Sequence, residues 1–251
     1  MTGPEISMPE PELAAADPVA WYERRLTEEV INGEPELGLL PLLVRRGSVA
    51  LDVGANLGFY AHAMARHAGR VEAFEPNPPV AAAAARMLAG RAEVRQLAAS
   101  SSAGPRRFRV PLAEDGAALH FAGNLGDAHG QFTQHHEYEV QAVTLDSFGY
   151  QDVSLIKVDA EGHELDVLLG ARQLLAACRP TLVVELLAGT HADPAAEMAR
   201  ICAGFGYEAY VFHANALHPA APVLQALGSN TTWGSAWQTR NMVFVPGESA
   251  C

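Results

Sequence analysis

Val49-Ala50-Leu51-Asp52-Val53-Gly54-Ala55-Asn56-Leu57-Gly58, followed by Glu72-Ala73-Phe74-Glu75-Pro76, decides the fold. The stretch spells an apolar strand, a glycine turn, a helix and a second apolar strand that ends on a carboxylate. That order builds half of a nucleotide-binding α/β sheet, in which ligands bind in the crevice at the carboxyl ends of the strands. Gly54 and Gly58 are expected to let the backbone approach a ligand, since neither carries a Cβ. Glu75 stands roughly 20 residues after Asp52, where an acidic side chain meets the two hydroxyls of a bound ribose.

The glycine spacing selects among ligands. A dinucleotide turn, G-x-G-x-x-G, needs glycine at 54, 56 and 59, but this chain has Gly54, Asn56 and Phe59. The resulting D-x-G-x-x-x-G turn cradles a pyrophosphate poorly and suits a ligand without one. It resembles the first motif of class I methyltransferases, whose S-adenosylmethionine carries a sulfonium and an amino-acid tail. On that reading Asp52 places a negative charge near the ligand's ammonium group. The alternative is an unrelated strand-turn-helix with a structural glycine pair, and Glu75 in register weighs against it.

The 251 residues and their 49% hydrophobic content are enough for one α/β domain with a substantial core. A formal net charge of −12 argues against a nucleic-acid partner, which requires a basic face. With no signal-peptide pattern and no long uncharged apolar span, the chain is expected to be cytoplasmic, neither secreted nor membrane-bound. Cys178, Cys202 and Cys251 are odd in number and lack CxxC spacing, so reduced structural thiols are expected. Residues 1–16, with Pro4, Pro9 and Pro11, read as a disordered leader. Residues 17–48 read as N-terminal helices and 49–251 as the main domain.

Asp17-Pro18 is a helix start, and Val19, Tyr22, Leu26 and Val30 follow at helical spacing. A second short helix is expected from about Glu36 to Val44. These helices either lie across the ligand crevice as a lid or cover a sheet edge. Strands are expected at 49–53, 70–74, 93–97, 154–158, 181–186, 207–212 and 240–245, the last two closing the sheet as an antiparallel pair. Helices are expected at 57–67, 78–89, 163–176 and 194–204. Residues 105–145 interrupt this rhythm and are expected to form a β-hairpin that extends the sheet.

Val143-Thr144-Leu145-Asp146-Ser147-Phe148 and Leu155-Ile156-Lys157-Val158-Asp159-Ala160-Glu161-Gly162-His163-Glu164 are the most specific segments. With the D-V-G-A-N-L-G and F-E-P motifs upstream and L-L-G-A downstream, the chain resembles the FkbM-type S-adenosylmethionine-dependent methyltransferases from about Leu37 to Pro246. The resemblance implies a Rossmann-like class I methyltransferase sheet, mostly parallel with an antiparallel C-terminal strand. It also implies oxygen methylation of sugars, polyketides or other secondary metabolites, without naming the acceptor. By position, Asp52, Gly54, Ala55, Asn56 and Gly58 would line the methionine side of the cofactor and Glu75 would bind the ribose. Pro76 and Asn77 would follow the adenosine edge, and Ala98, Ala99 and Ser100 would lie near the adenine. Asn124 and Gln131 are candidates for reaching cofactor or acceptor.

The reaction requires in-line geometry and a way to remove the acceptor's proton, by a positioned base or a metal. Asp159 ends its strand beside the expected methyl group and also belongs to the cofactor set. Glu161 and His163 follow on the turn, and Glu185 ends the next strand. His163 is either a base or substrate-orienting residue, or a helix-start histidine bonded to a neighbour. Asp159 and Glu185 either hold Mg²⁺ or act without metal, and the metal-free reading is preferred. His120, His129, His135 and His136 match no ligand spacing and read as a solvated loop. Lys157 reads as a salt-bridge partner of nearby carboxylates, and Trp233 and Trp237 as loop or core anchors. The partner is expected to be a small-molecule acceptor, and the oligomeric state is unreadable. Alternatives are a catalytically silent cofactor-binding or scaffold module, a nicotinamide oxidoreductase, or methylation of nitrogen or carbon.

Overall fold

A computed structural model describes residues 17–113, 115–125, 134–187, 190–227 and 240–247. In chain order, α1 (Pro18–Asn32) leads through a 3-10 turn (Pro35–Leu39) into α2 (Leu40–Leu43). There follow β1 (Val49–Val53), α3 (Phe59–Met64), β2 (Arg70–Phe74), α4 (Pro78–Met87), β3 (Glu93–Arg95) and β4 (Ala98–Ala99). Next come β5 (Gly104–Pro111), β6 (His135–Val143), β7 (Val153–Val158), α5 (Glu164–Leu169), α6 (Arg172–Cys178) and β8 (Thr181–Glu185). The remaining elements are α7 (Pro194–Phe205), β9 (Tyr207–His213), β10 (Ala216–Pro219), α8 (Ala220–Leu227) and β11 (Asn241–Pro246).

The central sheet runs β10-β9-β11-β8-β7-β1-β2-β3. Strands β8, β7, β1, β2 and β3 pair in parallel, while β11 enters antiparallel to both β8 and β9. The protein is thus an α/β fold with a mostly parallel sheet and an antiparallel C-terminal strand. The apolar runs of β1, β7 and β8 are buried on both faces, as parallel strands covered by helices require. One core cluster gathers Phe74, Ile156, Leu168, Leu182 and Phe244, and a second gathers Trp21, Tyr22, Leu40, Met64 and Leu155.

Local capping follows the sequence reading at both Asp-Pro pairs. Asp17 accepts from the Ala20 N–H at 3.0 Å, and Asp193 from the Ala196 N–H at 2.9 Å. Asp146 of the T-L-D-S motif is also a cap, accepting from the Gln173 and Leu174 N–H groups at 3.0 and 2.9 Å. Leu145 beside it is fully buried.

Several expectations need correction. The 105–145 hairpin does not extend the main sheet; β5 and β6 pair antiparallel, and β6 takes β4 as its parallel neighbour in a separate three-stranded sheet. The cause lies at the end of β3, where the Leu97 N–H turns back to the Arg95 carbonyl and sends the chain out of the main sheet. Strand 93–97 therefore stops at Arg95. The single helix expected over 163–176 is two helices that meet at Gly170 and Ala171. Strand β10 and α8 separate β9 from β11, so the closing pair is not a tight hairpin. On α1 the buried side chains are Trp21, Tyr22 and Leu26, whereas Val19 and Val30 are exposed. The periodicity identified the helix but only half of its packed face.

Helix α1 packs on α3 rather than on a sheet edge. Trp21 packs tilted against Phe59 and Tyr22 meets it edge-on, Tyr22 lies flat on His62, and the Tyr22 hydroxyl bonds the Leu57 carbonyl. The turn after α1 delivers Glu34 to the carboxyl edge of the sheet, where its carboxylate accepts from the Asn241 amide at 2.9 Å. Free Cys178 and Cys202 are partly buried; Cys251 lies outside the described residues. No described helix is long and apolar enough to cross a membrane.

Candidate active site

A cavity of about 260 Å³ opens over the carboxyl ends of β1, β2 and β7. It is the crevice expected of an open parallel sheet, where loops diverge and backbone groups face outward. Asp52, Gly54, Ala55, Asn56, Glu75, Pro76, Ala98, Ala99, Asp159, Glu161 and His163 all line it. The fold thus brings most of the sequence-predicted residues to one place from four separate stretches of chain.

Glu75 is buried, and its two oxygens accept from the Asn56 and Asn77 N–H groups, each at 2.8 Å. Burial pushes its carboxyl up to about 7 even though these two donors favour the charged form. Asp52 accepts from the Ala61 N–H at 2.8 Å, so it caps α3 from the end of β1 as well as lining the cavity. Burial raises it to about 7, against the pull of the Lys157 ammonium.

Gly54 has a role beyond ligand approach. At φ +74° its missing Cβ would fall 1.6 Å from the Asp159 carbonyl oxygen, so only glycine lets β1 and β7 exit side by side. Gly58 lies behind the cavity wall, with the position of its absent Cβ 2.5 Å from Leu88 Cδ1 and near the Tyr22 hydroxyl. It permits helix packing, in place of the ligand approach expected of it.

Asn77, Ser100 and Glu185 also stand one layer back from the cavity. Asn77 is fully buried, and Ser100 Oγ sits 2.9 Å from His163 Nε2. The His163 ring has its other nitrogen 3.7 Å from Asp166. Burial lowers the His163 pKa, and the ring sits in the bonded, helix-start arrangement of the two readings considered above.

At the other end, Lys157 Nζ lies 3.2 Å from Asp159 Oδ2 and 5.1 Å from the centre of the Tyr60 ring. Arg240 donates to Glu185 Oε1 at 2.9 and 3.1 Å. Burial and the adjacent Asp159 charge push Glu185 well above the carboxylate range. Burial opposes ionisation of Asp159 too, but Lys157, Glu185 and Arg240 outweigh it and hold that carboxyl low. Within this pair the Lys157 ammonium favours the negative charge on Asp159.

Oxygens of Asp159, Glu161 and Glu185 lie within 4.8 Å of one another, which is a suitable spacing for a divalent ion. Two of the three already face a cation, however, Asp159 the Lys157 ammonium and Glu185 the Arg240 guanidinium. This donor set fits Mg²⁺ poorly, because a hard cation would have to displace an ammonium and a guanidinium first.

Sequence reasoning missed Glu34, Tyr60, Arg240 and His191. Glu34 and Arg240 line the cavity from segments far from any strand-end motif. His191 lies 2.8 Å from Glu164 Oε2, and Glu164 Oε1 accepts from Ala160 and Gly162 N–H. This buried pair holds the loop that carries Asp159, Glu161 and His163. Glu34 and Arg240 gave little signal in the sequence, because their chain neighbours Asn32, Glu36, Thr239 and Asn241 are polar as well. His120 lines the cavity and is partly buried, in place of the solvated loop expected for it, while His135 and His136 lie on β6. Gln131, His129, Trp233 and Trp237 lie outside the described residues.

No curated protein matches the chain. Among solved structures it is similar to an FkbM methyltransferase from Methylobacillus flagellatus KT, with 15% identity and a TM-score of 0.49 over 79% of this chain and 43% of that one. The chain thus spans less than half the length of that protein. It is also similar to a TehB-like SAM-dependent methyltransferase from Corynebacterium glutamicum, at 14% identity and TM-score 0.46 over 91% and 96% of the two chains. A methyltransferase from Geobacter sulfurreducens shows 17% identity and TM-score 0.45 over 92% and 88%. The family model for the methyltransferase FkbM domain matches residues 52–209, well over half of the chain and spanning the whole run from Asp52 through Glu75 to Asp159 and Glu185. The chain belongs to the FkbM methyltransferase domain family, a family of S-adenosylmethionine-dependent methyltransferases.

Proposed function

We propose that this protein transfers the methyl group of S-adenosylmethionine to a hydroxyl oxygen of a small, polyhydroxylated or glycosylated metabolite, without a metal. The observation that carries the cofactor half is Glu75. Two backbone N–H groups clamp its carboxylate at the end of β2, with lone pairs left to accept from a vicinal diol. Asp52, Gly54, Ala55 and Asn56 would hold the amino-acid tail, while Pro76, Ala98 and Ala99 supply flat apolar surface for a base. When bound, the cofactor supplies an activated methyl group on a cationic sulfur.

Asp159 is the residue assigned to the acceptor. Lys157 keeps it ionised at the cavity wall, so it can accept a hydrogen bond from a hydroxyl and orient the oxygen. Glu185, anchored by Arg240, backs Asp159 from the neighbouring strand. As the acceptor oxygen gives its electron pair to the methyl group, its proton passes to Asp159 Oδ, and the Lys157–Asp159 ion pair becomes an ammonium beside a neutral acid, which takes up the positive charge that leaves the sulfonium. Glu161 faces the same wall and can orient further hydroxyls. His163 is a positioning residue through Ser100. A cytoplasmic setting suits the free thiols and is part of this proposal.

Incubation with methyl-labelled cofactor and a panel of glycosylated and polyhydroxylated metabolites, followed by mass spectrometry, tests the reading. Label is expected on oxygen, with turnover unchanged by EDTA. Label on nitrogen or carbon, or activity that disappears with chelator and returns with Mg²⁺, would overturn the corresponding half. A silent binding module would bind S-adenosylhomocysteine but label nothing.

A further inference from the structure

The connection between β5 and β6 contributes a residue to the cavity that no motif reading assigns. His120 opens a short 3-10 turn, His120–Ala122, and its ring lies at the cavity wall. The turn is pinned on both sides, before it by the Leu119 N–H donating to the Pro111 carbonyl at 2.8 Å and after it by Gly123 and Asn124. Asn124 pairs through its N–H and C=O with Arg109 of β5 at 3.0 and 2.9 Å. Gly123 lies so close to the Phe108 ring that a Cβ there would come within 2.5 Å of it.

Asn77 Nδ2 lies 3.1 Å from His120 Nδ1. An amide nitrogen only donates, so Nδ1 accepts and the ring proton resides on Nε2. That Nε2 is buried and has no hydrogen-bond partner among the described residues. A buried N–H left unpaired is unfavourable, and a ligand that brings an acceptor removes the penalty. The surrounding wall is made of Pro76, Ala98, Ala99 and Phe108. These offer flat apolar faces, and the alanines have no side-chain polar group to read the edge of a base.

We propose that His120 is the base-reading residue of this cavity, its Nε2–H donating to a ring nitrogen of the cofactor's adenine. The proposal rests on the reading of the cavity as the S-adenosylmethionine site. It makes the β5–β6 insertion part of cofactor recognition, with Asn77 linking the base reader to the ribose reader, since the Asn77 N–H donates to Glu75.

Calorimetric titration with S-adenosylhomocysteine and its 1-, 3- and 7-deaza analogues tests this in the full chain, His120→Ala, His120→Phe and Glu75→Ala. The wild type should bind one deaza analogue about tenfold more weakly than the parent compound, the scale of one buried hydrogen bond. His120→Ala and His120→Phe should bind the parent about tenfold more weakly and no longer distinguish that analogue. Glu75→Ala should bind everything more weakly yet keep the discrimination. The two His120 variants guard against loss of folding, because an unfolded variant would bind nothing while these should bind both compounds equally. Discrimination that survives in both, or a wild type that treats all analogues alike, would overturn the assignment to His120. Failure of the wild type to bind S-adenosylhomocysteine at all would instead bring down the cofactor reading and this proposal with it.

Discussion

Glu75 and Asp159 are both carboxylates at strand ends, yet their surroundings give them different tasks. Glu75 is bonded only by backbone N–H groups, and Asp159 by an ammonium. Glu75→Ala should therefore weaken S-adenosylhomocysteine binding by roughly 1.5–3 kcal/mol, the scale of a charged hydrogen bond; calorimetry on a folded variant checks it. Asp159→Asn should instead lower turnover at least about a hundredfold, the low end for a lost general base, while cofactor affinity stays within a few-fold. A loss confined to affinity would move Asp159 to the other ligand. Asp52 adds a pH test. Its folded pKa of about 7 lies above the ordinary carboxylate value, so the folded chain keeps a proton that the unfolded chain releases. The stability tied to Asp52 is thus complete in acid and is lost as pH rises toward 7. Histidines lowered by burial act in the opposite direction, which makes the comparison with a variant the clean measurement. The melting temperature of Asp52→Asn should gain on the wild type between pH 5 and about 7.5. A constant gap would contradict the raised pKa.

At the scale of elements, close passage of β1 and β7 is what builds the floor of the cavity. Gly54→Ala combines a left-handed φ with a Cβ placed on the Asp159 carbonyl. It should destabilise the protein well beyond the ~1 kcal/mol usual for glycine replaced where φ is positive, seen as a fall in the denaturation midpoint. The loop after β7 depends on a second element, the β8–α7 connection, through His191 and Glu164. His191→Ala should leave Glu164 buried without that partner and speed hydrogen exchange of the Ala160 and Gly162 amides about tenfold or more, since local opening costs less once a buried ion-paired bond is gone. Unchanged exchange at these two amides would show that the loop holds itself.

For the molecule as a whole, ligand choice is the discriminating property. S-adenosylhomocysteine at a hundred times its Kd should add about 2.7 kcal/mol of stability. For a domain of this size that raises the melting temperature by about 5–10 °C. NAD should give no shift, because the first turn has Asn56 and Phe59 where a pyrophosphate cradle needs glycines. A shift with NAD and none with S-adenosylhomocysteine would reverse the cofactor assignment.

What the sequence determined by itself was local: strands at apolar runs, helix starts at Asp17-Pro18 and Asp193-Pro194, and the strand-end carboxylates Asp52, Glu75, Asp159 and Glu185. These follow from hydrophobic period, capping and turn chemistry, which act over a few residues. The ordered motifs added the family on top of that. Only the tertiary structure decided which strands pair with which, and so moved the 105–145 hairpin out of the main sheet. It also decided that Gly58 serves helix packing, that Lys157 and Arg240 occupy the charges a metal would need, that Glu34 and His120 reach one crevice from distant segments, and that His191 braces the loop behind it through Glu164. The physical reason is that such contacts join residues far apart in the chain, such as Glu34 with Asn241. No local propensity encodes them; they arise when packing of the whole sheet brings their segments together.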